Sequence, residues 1–323
     1  MSRKRKLYRL LVAQTIERFF SSICFVIGRY KAYKQLRSQH RTPGATLADK
    51  VLFKMAWDRN PLLHVFSDKM SVRDYISGKV GGGFLVPLIG SWDEPESIPW
   101  RKVPKEFVVK VTHGSGGVIV VSEQAPDDAF LPSSPQGWYR FEVHPQNFDT
   151  RVAEMIISHW QTLRYEWWPG RKPEFGYRGL RPRVIMEELI KPVGVSEICD
   201  LKAYAFNGQV QFFELFVGGV AQRKQLQYLD RFGNLLPVRA IDGGGLWPAL
   251  EITPALPWLD QLVEISEILA EGLDFIRVDF ISSGNRFYVG ELTSYPSSGE
   301  FSFEPSHYDT EFGSTWHPSY QKP

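Results

Sequence analysis

Apolar residues near the start of the chain recur at three- and four-residue steps. Leu7, Leu10, Leu11, Ile16, Phe19, Phe20, Ile23, Val26, Ile27 and Tyr30 make one stripe, which predicts an amphipathic helix. Loop chemistry at "RTPG", Arg41–Gly44, ends it, and Thr46 or Asp49 caps a second helix through "LADKVLFKMAWDR". "SDKMSVRDYISGKV" predicts a short helix from near Ser67, capped by Ser67 or Asp68. "GGGFLVPLIGSW" reads as glycine punctuation and then a strand, and "EFVVKVT" and "GVIVVS" as two strands around a glycine loop. Residues 123–150, rich in Pro, Asp and Ser, read as loop. Val152, Met155, Ile156, Trp160 and Leu163 fall at helical spacing, and residues 164–182 form an aromatic, basic, proline-broken loop. "RVIMEELI" is a strand, and "DLKAYAFNGQVQFFELFVG" is a hairpin about an Asn207–Gly208 turn. "PWLDQLVEISEILAEGL" is a helix ending near Gly272, and "DFIRVDFISSGNRFYVGELTS" is a last hairpin. Hairpins alternating with single helices predict an α+β fold.

Charge changes the picture at the N-terminus. Residues 1–41 carry eleven Lys/Arg against one acid, Glu17, so an arm of +10 precedes a body of −8 in a chain of net +2. The longest apolar run in the arm, "ICFVIG", is far below the roughly 18 residues that span a bilayer. Glu17, Arg18 and Arg29 interrupt the pattern and no A-x-A site follows, which argues against a secretory signal. Two readings of the arm stay open: a helix packed on the body, or a peripheral hold on an anionic membrane face. No recognised nucleic-acid motif follows it, so nucleic acid is not an expected partner. The 323 residues suffice for about two lobes at roughly 150 residues each. Two cysteines, Cys24 and Cys199, have neither metal spacing nor a disulfide framework, which suits a reducing cytoplasm.

Three stretches carry candidate chemistry. The first is "KVTHGSGGVIVV", Lys110–Val121. A Walker A loop places its lysine after the glycines and opens a helix; here the lysine comes first and a strand follows. A dinucleotide fingerprint also needs a helix there, "HGSGG" lacks the first glycine of a serine nucleophile elbow, and the H-R-D and D-F-G of protein kinases are absent. What remains is a glycine hairpin whose backbone N–H groups can form an anion nest beside Lys110, or a plain hairpin with a surface lysine. The second is Asp279 and Glu291, across a turn containing Gly284. If a three-residue loop makes Ser282 face Arg286, Asp279 faces Val289 and Glu291 is its diagonal neighbour on the same face. Two such carboxylates can hold a hard cation such as magnesium. A two-residue loop would separate them onto opposite faces, as two unrelated charges. The third is "VIMEELI", a strand ending in acids whose backbone groups could read an adenine edge, with Glu187 or Glu188 taking a polar donor, although acids at strand ends are commonplace.

In combination and order, these parts resemble the ATP-grasp fold, and in wording its TupA-like branch, associated with teichuronopeptide and other bacterial surface-polysaccharide gene sets. The matching stretches are "WDRNPLLHVFSDKMSVRDYI", "FVVKVTHGSGG", "LRPRVIMEEL", "DLKAYAFNGQVQFF", "LDFIRVDF" and "YVGELTSYPSSG", from about residue 46 to 313. The resemblance implies two α+β lobes gripping ATP under a glycine-hairpin lid, preceded by the basic helix. It implies an arm over 1–45, a pre-grasp region over 46–100, a lobe with the lid over 101–190 and a lobe with the metal hairpin over 191–323. It further implies that Lys69 and Lys110 hold ATP phosphates and that His113, Gly114, Ser115, Gly116 and Gly117 close on them. Glu187, Glu188 and Leu189 would line the adenine site, and Asp200 and Lys202 would lie near ribose or phosphate. Asp279, Glu291 and Thr293 would hold Mg2+, with Thr293 standing where many such enzymes have asparagine. Lys110, Lys202 and Arg277 would be catalytic.

Such enzymes pass the γ-phosphoryl group of ATP to a carboxylate, and an amine or other nucleophile then attacks the acylphosphate. The expected substrate is a carboxylate-bearing small molecule or glycan, on a bacterial polysaccharide such as a capsule or its precursor. Arg181, Arg183 and Arg277 are candidates to clamp the carboxylate, and Tyr165, Trp167, Trp168 and Tyr177 to stack on a sugar face, or simply to pack their loop. The setting is cytoplasmic. The arm, if it docks, holds the chain at the inner face of the cell membrane or on polysaccharide-assembly proteins. A glycosyltransferase is the rival class, but its usual Asp-x-Asp pair is absent from the sequence. A nucleotide-binding scaffold without chemistry is the third reading, and intact Lys110, Asp279 and Glu291 count against it.

Overall fold

The computed structural model describes residues 28, 30–134, 137–165, 172–191, 198–217, 225–242, 245–247, 256–283 and 286–320. Helix α1 (Leu47–Trp57) starts where the capping residues put it. Thr46 Oγ1 accepts the Asp49 N–H at 3.1 Å, and Asp49 Oδ2 accepts the Thr46 N–H at 3.3 Å, a reciprocal capping box. The next stretch departs from expectation. A helix α2 (Leu62–Ser67) ends at Ser67, where the sequence suggested a start, and α3 spans Ser71–Val80. Asp68 does act as a cap: its Oδ1 accepts the N–H groups of Met70 and Ser71 at 3.0 and 2.7 Å, turning the chain between the two helices.

One sheet has the strand order β1-β5-β2-β3-β4, with β1 Leu88–Trp92, β2 Phe107–Val111, β3 Val118–Val121, β4 Arg140–Val143 and β5 Val184–Glu188. The edge strand β1 comes from the segment before residue 101 and the other strands from 101–190. β4 lies in the stretch expected to be loop. Its four residues are too few to show a period, and it is recruited by parallel pairing with β3 and by Phe141 stacked on Trp160 at 5.9 Å. Helix α4 (Thr150–Thr162) covers this sheet through Ala153, Ile156, Ile157 and Trp160, all fully buried.

The second sheet is antiparallel throughout, in the order β13-β12-β6-β7-β8-β9. Its strands are β6 Ile198–Phe206, β7 Gln209–Val217, β8 Gln225–Asp230, β9 Leu235–Leu236, β12 Phe275–Ser283 and β13 Arg286–Thr293. Asn207 and Gly208, at φ 51° and 80°, form the expected turn between β6 and β7. One face, carrying Leu201, Ala203, Phe213, Val278 and Phe280, packs on α5 (Leu259–Ala270) and α3. The opposite face presents the charged row described below. A three-stranded sheet joins β10 (Arg239–Asp242), β11 (Gly245–Leu246) and β14 (Ser302–Glu304), followed by α6 (His307–Glu311).

The helical segment 30–39 lies against this body. Leu36 is buried, Arg37 Nε donates to the Ala56 carbonyl at 3.2 Å, and its guanidinium sits 5.0 Å from the Trp57 ring, while Tyr30 is exposed. The rest of the expected stripe, in residues 1–27, lies outside the described residues. Among those described, no helix is long and apolar enough to cross a membrane.

A buried clasp closes the fold. Trp316, fully buried, stacks against Phe275 and Phe206 at 4.7 and 5.7 Å, and its Nε1 donates to Asp274 Oδ2 at 3.0 Å. Lys54 donates to the other Asp274 oxygen at 2.8 Å, and Lys50 donates to the carbonyls of Gly313 and Trp316, both at 2.6 Å. Replacing Trp316 with alanine empties this site and strands part of the network. The expected loss is about 3–5 kcal/mol of unfolding free energy, read as a fall in the urea midpoint.

Candidate functional site

The glycine loop, residues 112–117, joins β2 to β3, and its glycines have a steric cause. A Cβ on Gly114 would lie 2.7 Å from the Trp138 ring, and one on Gly117 would lie 2.8 Å from Val111 at a φ of 58°. Trp138, in the segment expected to be loop, therefore covers the hairpin, and no spacing pattern in the sequence marks it. Ser115 is exposed at the tip. The Lys69 N–H donates to the Thr112 carbonyl at 3.0 Å and its ammonium donates to the Gly114 carbonyl, so the loop is held down from the α2–α3 turn.

His113 is not a charged contact for an anion. It is 3 % exposed, with Nε2 held 3.1 Å from the Leu163 carbonyl and its ring edge-on to Trp138 at 5.3 Å. Burial pushes its pKa down to about 4, and the Lys69 and Arg164 charges add to the effect. It pins the base of the loop as a neutral ring.

Lys110 and Glu187 meet on the face of the first sheet opposite its core, which Val109, Val111, Val184 and Met186 fill. Glu187 Oε2 accepts from Lys110 at 2.7 Å and Oε1 from Arg73 at 2.6 Å. Both carboxylate oxygens therefore already accept from a cation, where the sequence suggested that Glu187 or Glu188 would take a polar donor. Glu188 is exposed, Leu189 is half-buried, and the Glu188 N–H bonds to the Pro87 carbonyl at 3.0 Å.

The last hairpin corrects the expected register and keeps its outcome. Ser283 pairs with Arg286, so two residues make the turn, not three, and Phe280 pairs with Val289, not Asp279. A bulge between Asp279 and Phe280 then inserts Gly290, so Asp279 directly faces Glu291 and Val278 faces Leu292. The bulge lets Val289 and Leu292 both reach the core while Glu291 stays on the cleft face. Cross-strand pairs extend the row: Asp279 faces Lys202, and Lys202 faces Glu214. Lys202 donates to Glu214 at 2.9 Å and lies 4.2 Å from the Phe216 ring, and Tyr204 donates to the other Glu214 oxygen at 2.8 Å. Burial alone would raise the Glu214 carboxyl, but Lys202 and Arg277 pull it below its ordinary value. Asp200, two positions from Lys202, shares its strand face and is half-buried.

Arg277 grips Asp279 with two bonds, Nε to Oδ1 at 2.7 Å and Nη2 to Oδ2 at 2.6 Å, and reaches Thr293 Oγ1 at 3.2 Å. Burial disfavours its charge, but Asp279 more than compensates and holds the guanidinium protonated above its ordinary range. Lys69 faces this group: burial pushes its ammonium down while Glu291 holds it up.

Lys202, Arg277, Glu291 and Thr293 line a cleft of about 430 Å³, together with Ser115, Tyr165, Lys172, Glu174, Tyr177 and the turn Ser294–Ser298. Ser297 and Ser298 have φ of 44° and 52°, a left-handed pair without glycine, which costs about 1–2 kcal/mol per residue. Ser298 Oγ donates to Glu174 at 2.7 Å, and Lys172 bonds Glu300 at 2.6 Å. Of the three arginines expected to clamp a carboxylate, Arg277 is in the cleft. Arg181 and Arg183 instead pair with Asp93 at 3.0 and 3.1 Å. Tyr165 and Tyr177 pack on each other at 4.3 Å, and Trp167 and Trp168 lie outside the described residues.

Glu291 and the Thr293 hydroxyl fit a small hard cation that takes its remaining ligands from water and phosphate oxygens, and Asp279, whose two oxygens are both bonded to Arg277, could join them only through a lone pair beside that grip. Among the described residues no cluster of three or more His, Cys, Asp or Glu offers a complete protein cage. The donor set thus suits magnesium carried with a phosphate ligand.

A family profile described as TupA-like ATPgrasp matches residues 49–317. No curated protein matches the sequence. Similar solved structures include the ATP-grasp ligase PsnB complexed with minimal precursor, at 13% identity and TM-score 0.37 over 77% of this chain and 60% of that one. D-alanine–D-alanine ligase from Bacillus anthracis is similar at 16% identity and TM-score 0.36 over 71% of this chain and 57% of that one. The Helicobacter pylori ligase is similar at 14% identity and TM-score 0.43 over 84% and 64%. The chain thus spans about 60% of the length of the solved structures it matches.

The buried His113 makes stability depend on pH. Its folded pKa, about 4, lies below the ordinary 6.5, so the unfolded state binds the extra proton between those values. The contribution is intact above pH 6.5 and falls as pH drops toward 4. Between pH 7 and pH 5 the wild type should lose about 2 kcal/mol more unfolding free energy than His113→Gln, measured by urea titration. Parallel losses in the two proteins would show that His113 is not held neutral.

Proposed function

The chain belongs to the TupA-like ATP-grasp family, and from that premise we propose that it is an ATP-dependent ligase. It joins a carboxylate to an amine or related nucleophile through an acylphosphate, and it acts on a bacterial surface polysaccharide or its precursor. The polysaccharide setting rests on the resemblance to the TupA-like branch. The observation that carries the chemistry is a cleft lined by Glu291, Lys202 and Arg277, with Asp279 paired to Glu291 across the strands and bonded to Arg277 behind that lining.

The chain's own groups divide the work. Lys69 and Lys110 offset the charge of the nucleotide phosphates, with the N–H groups of the glycine loop as further donors. Arg277 is aimed by Asp279 and Thr293 toward the transferred phosphoryl group, where its fixed charge stabilises developing negative charge. Glu214 and Tyr204 hold Lys202 extended along the sheet face toward the same place. Magnesium, which Glu291 would hold with Thr293 nearby and with Asp279 contributing beside its bonds to Arg277, would supply neutralisation of the phosphate oxygens. The loop under Trp138 shields an acylphosphate from water.

The test is turnover. With ATP, magnesium and a panel of amino acids and uronic-acid glycans, ADP and phosphate should appear only when a carboxylate acceptor is present. AMP with pyrophosphate, or sugar transfer from a nucleotide sugar without ATP, would assign another class. Asp279→Asn and Glu291→Gln should each lower kcat on the order of 100-fold. The double variant should be little worse than either, because the two acids act as a unit. Losses that multiply would separate them.

A further inference from the structure

Arg73, like Lys110 and Glu187, is absent from the lining of the cleft, and it is bonded to the carboxylate that holds Lys110. In the β2–β5 ladder Lys110 pairs with Ile185, so Glu187 stands diagonally from it on the same face. Arg73 arrives from α3, 114 residues away in sequence, and donates through Nη1 to Glu187 Oε1 at 2.6 Å. Its Nη2 donates to the Val86 carbonyl at 2.8 Å, so the guanidinium is fixed at two points. The carboxylate between the cations is 6 % exposed.

The charge count explains the arrangement. Lys69 and Lys110 act on each other as like charges, and Glu187 eases that convergence. Alone, however, Glu187 would cancel Lys110 and present a phosphate with a neutral pair. With Arg73 sharing the carboxylate, the trio keeps one net positive charge. The fork of Arg73 also stops Glu187 from rotating to chelate the ammonium with both oxygens.

We propose that Arg73 is a positioning residue for nucleotide binding: by sharing Glu187 with Lys110 it leaves the Lys110 charge available to the phosphates. This rests on the reading of the cleft as an ATP site. The experiment is calorimetric titration of the full chain with ATP and magnesium. Arg73→Ala should weaken binding roughly tenfold, as expected when a partly desolvated charge loses its partner. Arg73→Lys, which keeps the charge, should stay within about threefold of wild type. The discriminating variant is Arg73→Ala with Glu187→Gln. It restores the net charge around Lys110 and should bind ATP more tightly than Arg73→Ala alone, a recovery that a merely structural arginine would not produce. A double variant as weak as Arg73→Ala, or an Arg73→Lys as weak as Arg73→Ala, overturns the proposal. If circular dichroism shows that the alanine variant does not fold, Arg73→Gln takes its place, with the same outcomes expected. A wild type that binds no ATP would fail the ligase reading itself. A wild type that binds, with Arg73 variants that contradict the scheme, confines the failure to Arg73.

Discussion

A charge taken out of water must be met by its opposite, and the working face of this protein is arranged around that constraint. Glu187 lies between Lys110 and Arg73, Lys202 is bonded to Glu214, and Asp279 is gripped by Arg277. These pairings allow two β-sheets to bring so many ionised groups together without expelling one of them. They also leave a pattern. Several of the groups that would meet a polyanion are already oriented by a carboxylate, so a bound phosphate competes with an existing partner and does not have to order a free side chain. Lys69 and Glu291 depart from it: the Lys69 ammonium donates to the Gly114 carbonyl, and among the described residues no hydrogen bond or ion pair takes the Glu291 carboxylate.

The two lobes differ in how they hold their part of the site. In the first sheet the loop is clamped by packing: Trp138 lies on the glycines, His113 underlies it, and Tyr165 and Tyr177 continue the aromatic chain into the cleft. In the second sheet the groups are fixed by ladder register, each charged residue directly opposite the next. Packing tolerates hinge motion, while a six-stranded ladder does not. Movement on binding therefore falls to the loop and its aromatic cover, with the acidic row as the fixed reference.

Much of this was legible before the fold was known, and the gaps have physical reasons. The capping box at Thr46, the Asn207–Gly208 turn and the helix at 150–162 are local signals, written within a few residues. The bulge was legible in principle. Phe287, Val289 and Leu292 are the buried positions of β13, and the step from two to three residues across Gly290 is its mark. Reading the hairpin as a regular ladder led to a three-residue turn, and two offsets cancelled to keep Asp279 beside Glu291. The strands β4, β8, β9, β10 and β11 are short or lack an alternating pattern, so pairing partners rather than their own sequence define them. Lys110, Asp279 and Glu291 stood out by type and spacing, and Arg277 by type alone, beside Arg181 and Arg183. Arg73 and Trp138 did not, because each acts on residues distant in the chain, and Glu214 did not, because a register shift between Tyr204 and Ala205 brings it opposite Lys202.

The clasp at Trp316 bears on the order in which the molecule can be made. Helix α1 emerges more than 200 residues ahead of its partners, with the ammonium groups of Lys50 and Lys54 on its inward side and their acceptors supplied by residues 274, 313 and 316. Until those residues leave the ribosome, the two lysines have only Asp58 and water to satisfy them, and the aromatic slot between Phe206 and Phe275 stays open. The five-stranded sheet draws on residues 88–188 and has no such debt to the tail. Folding during translation is therefore asymmetric: the lobe with the glycine loop can mature on the nascent chain, while the charged row waits for residues as far along as 316.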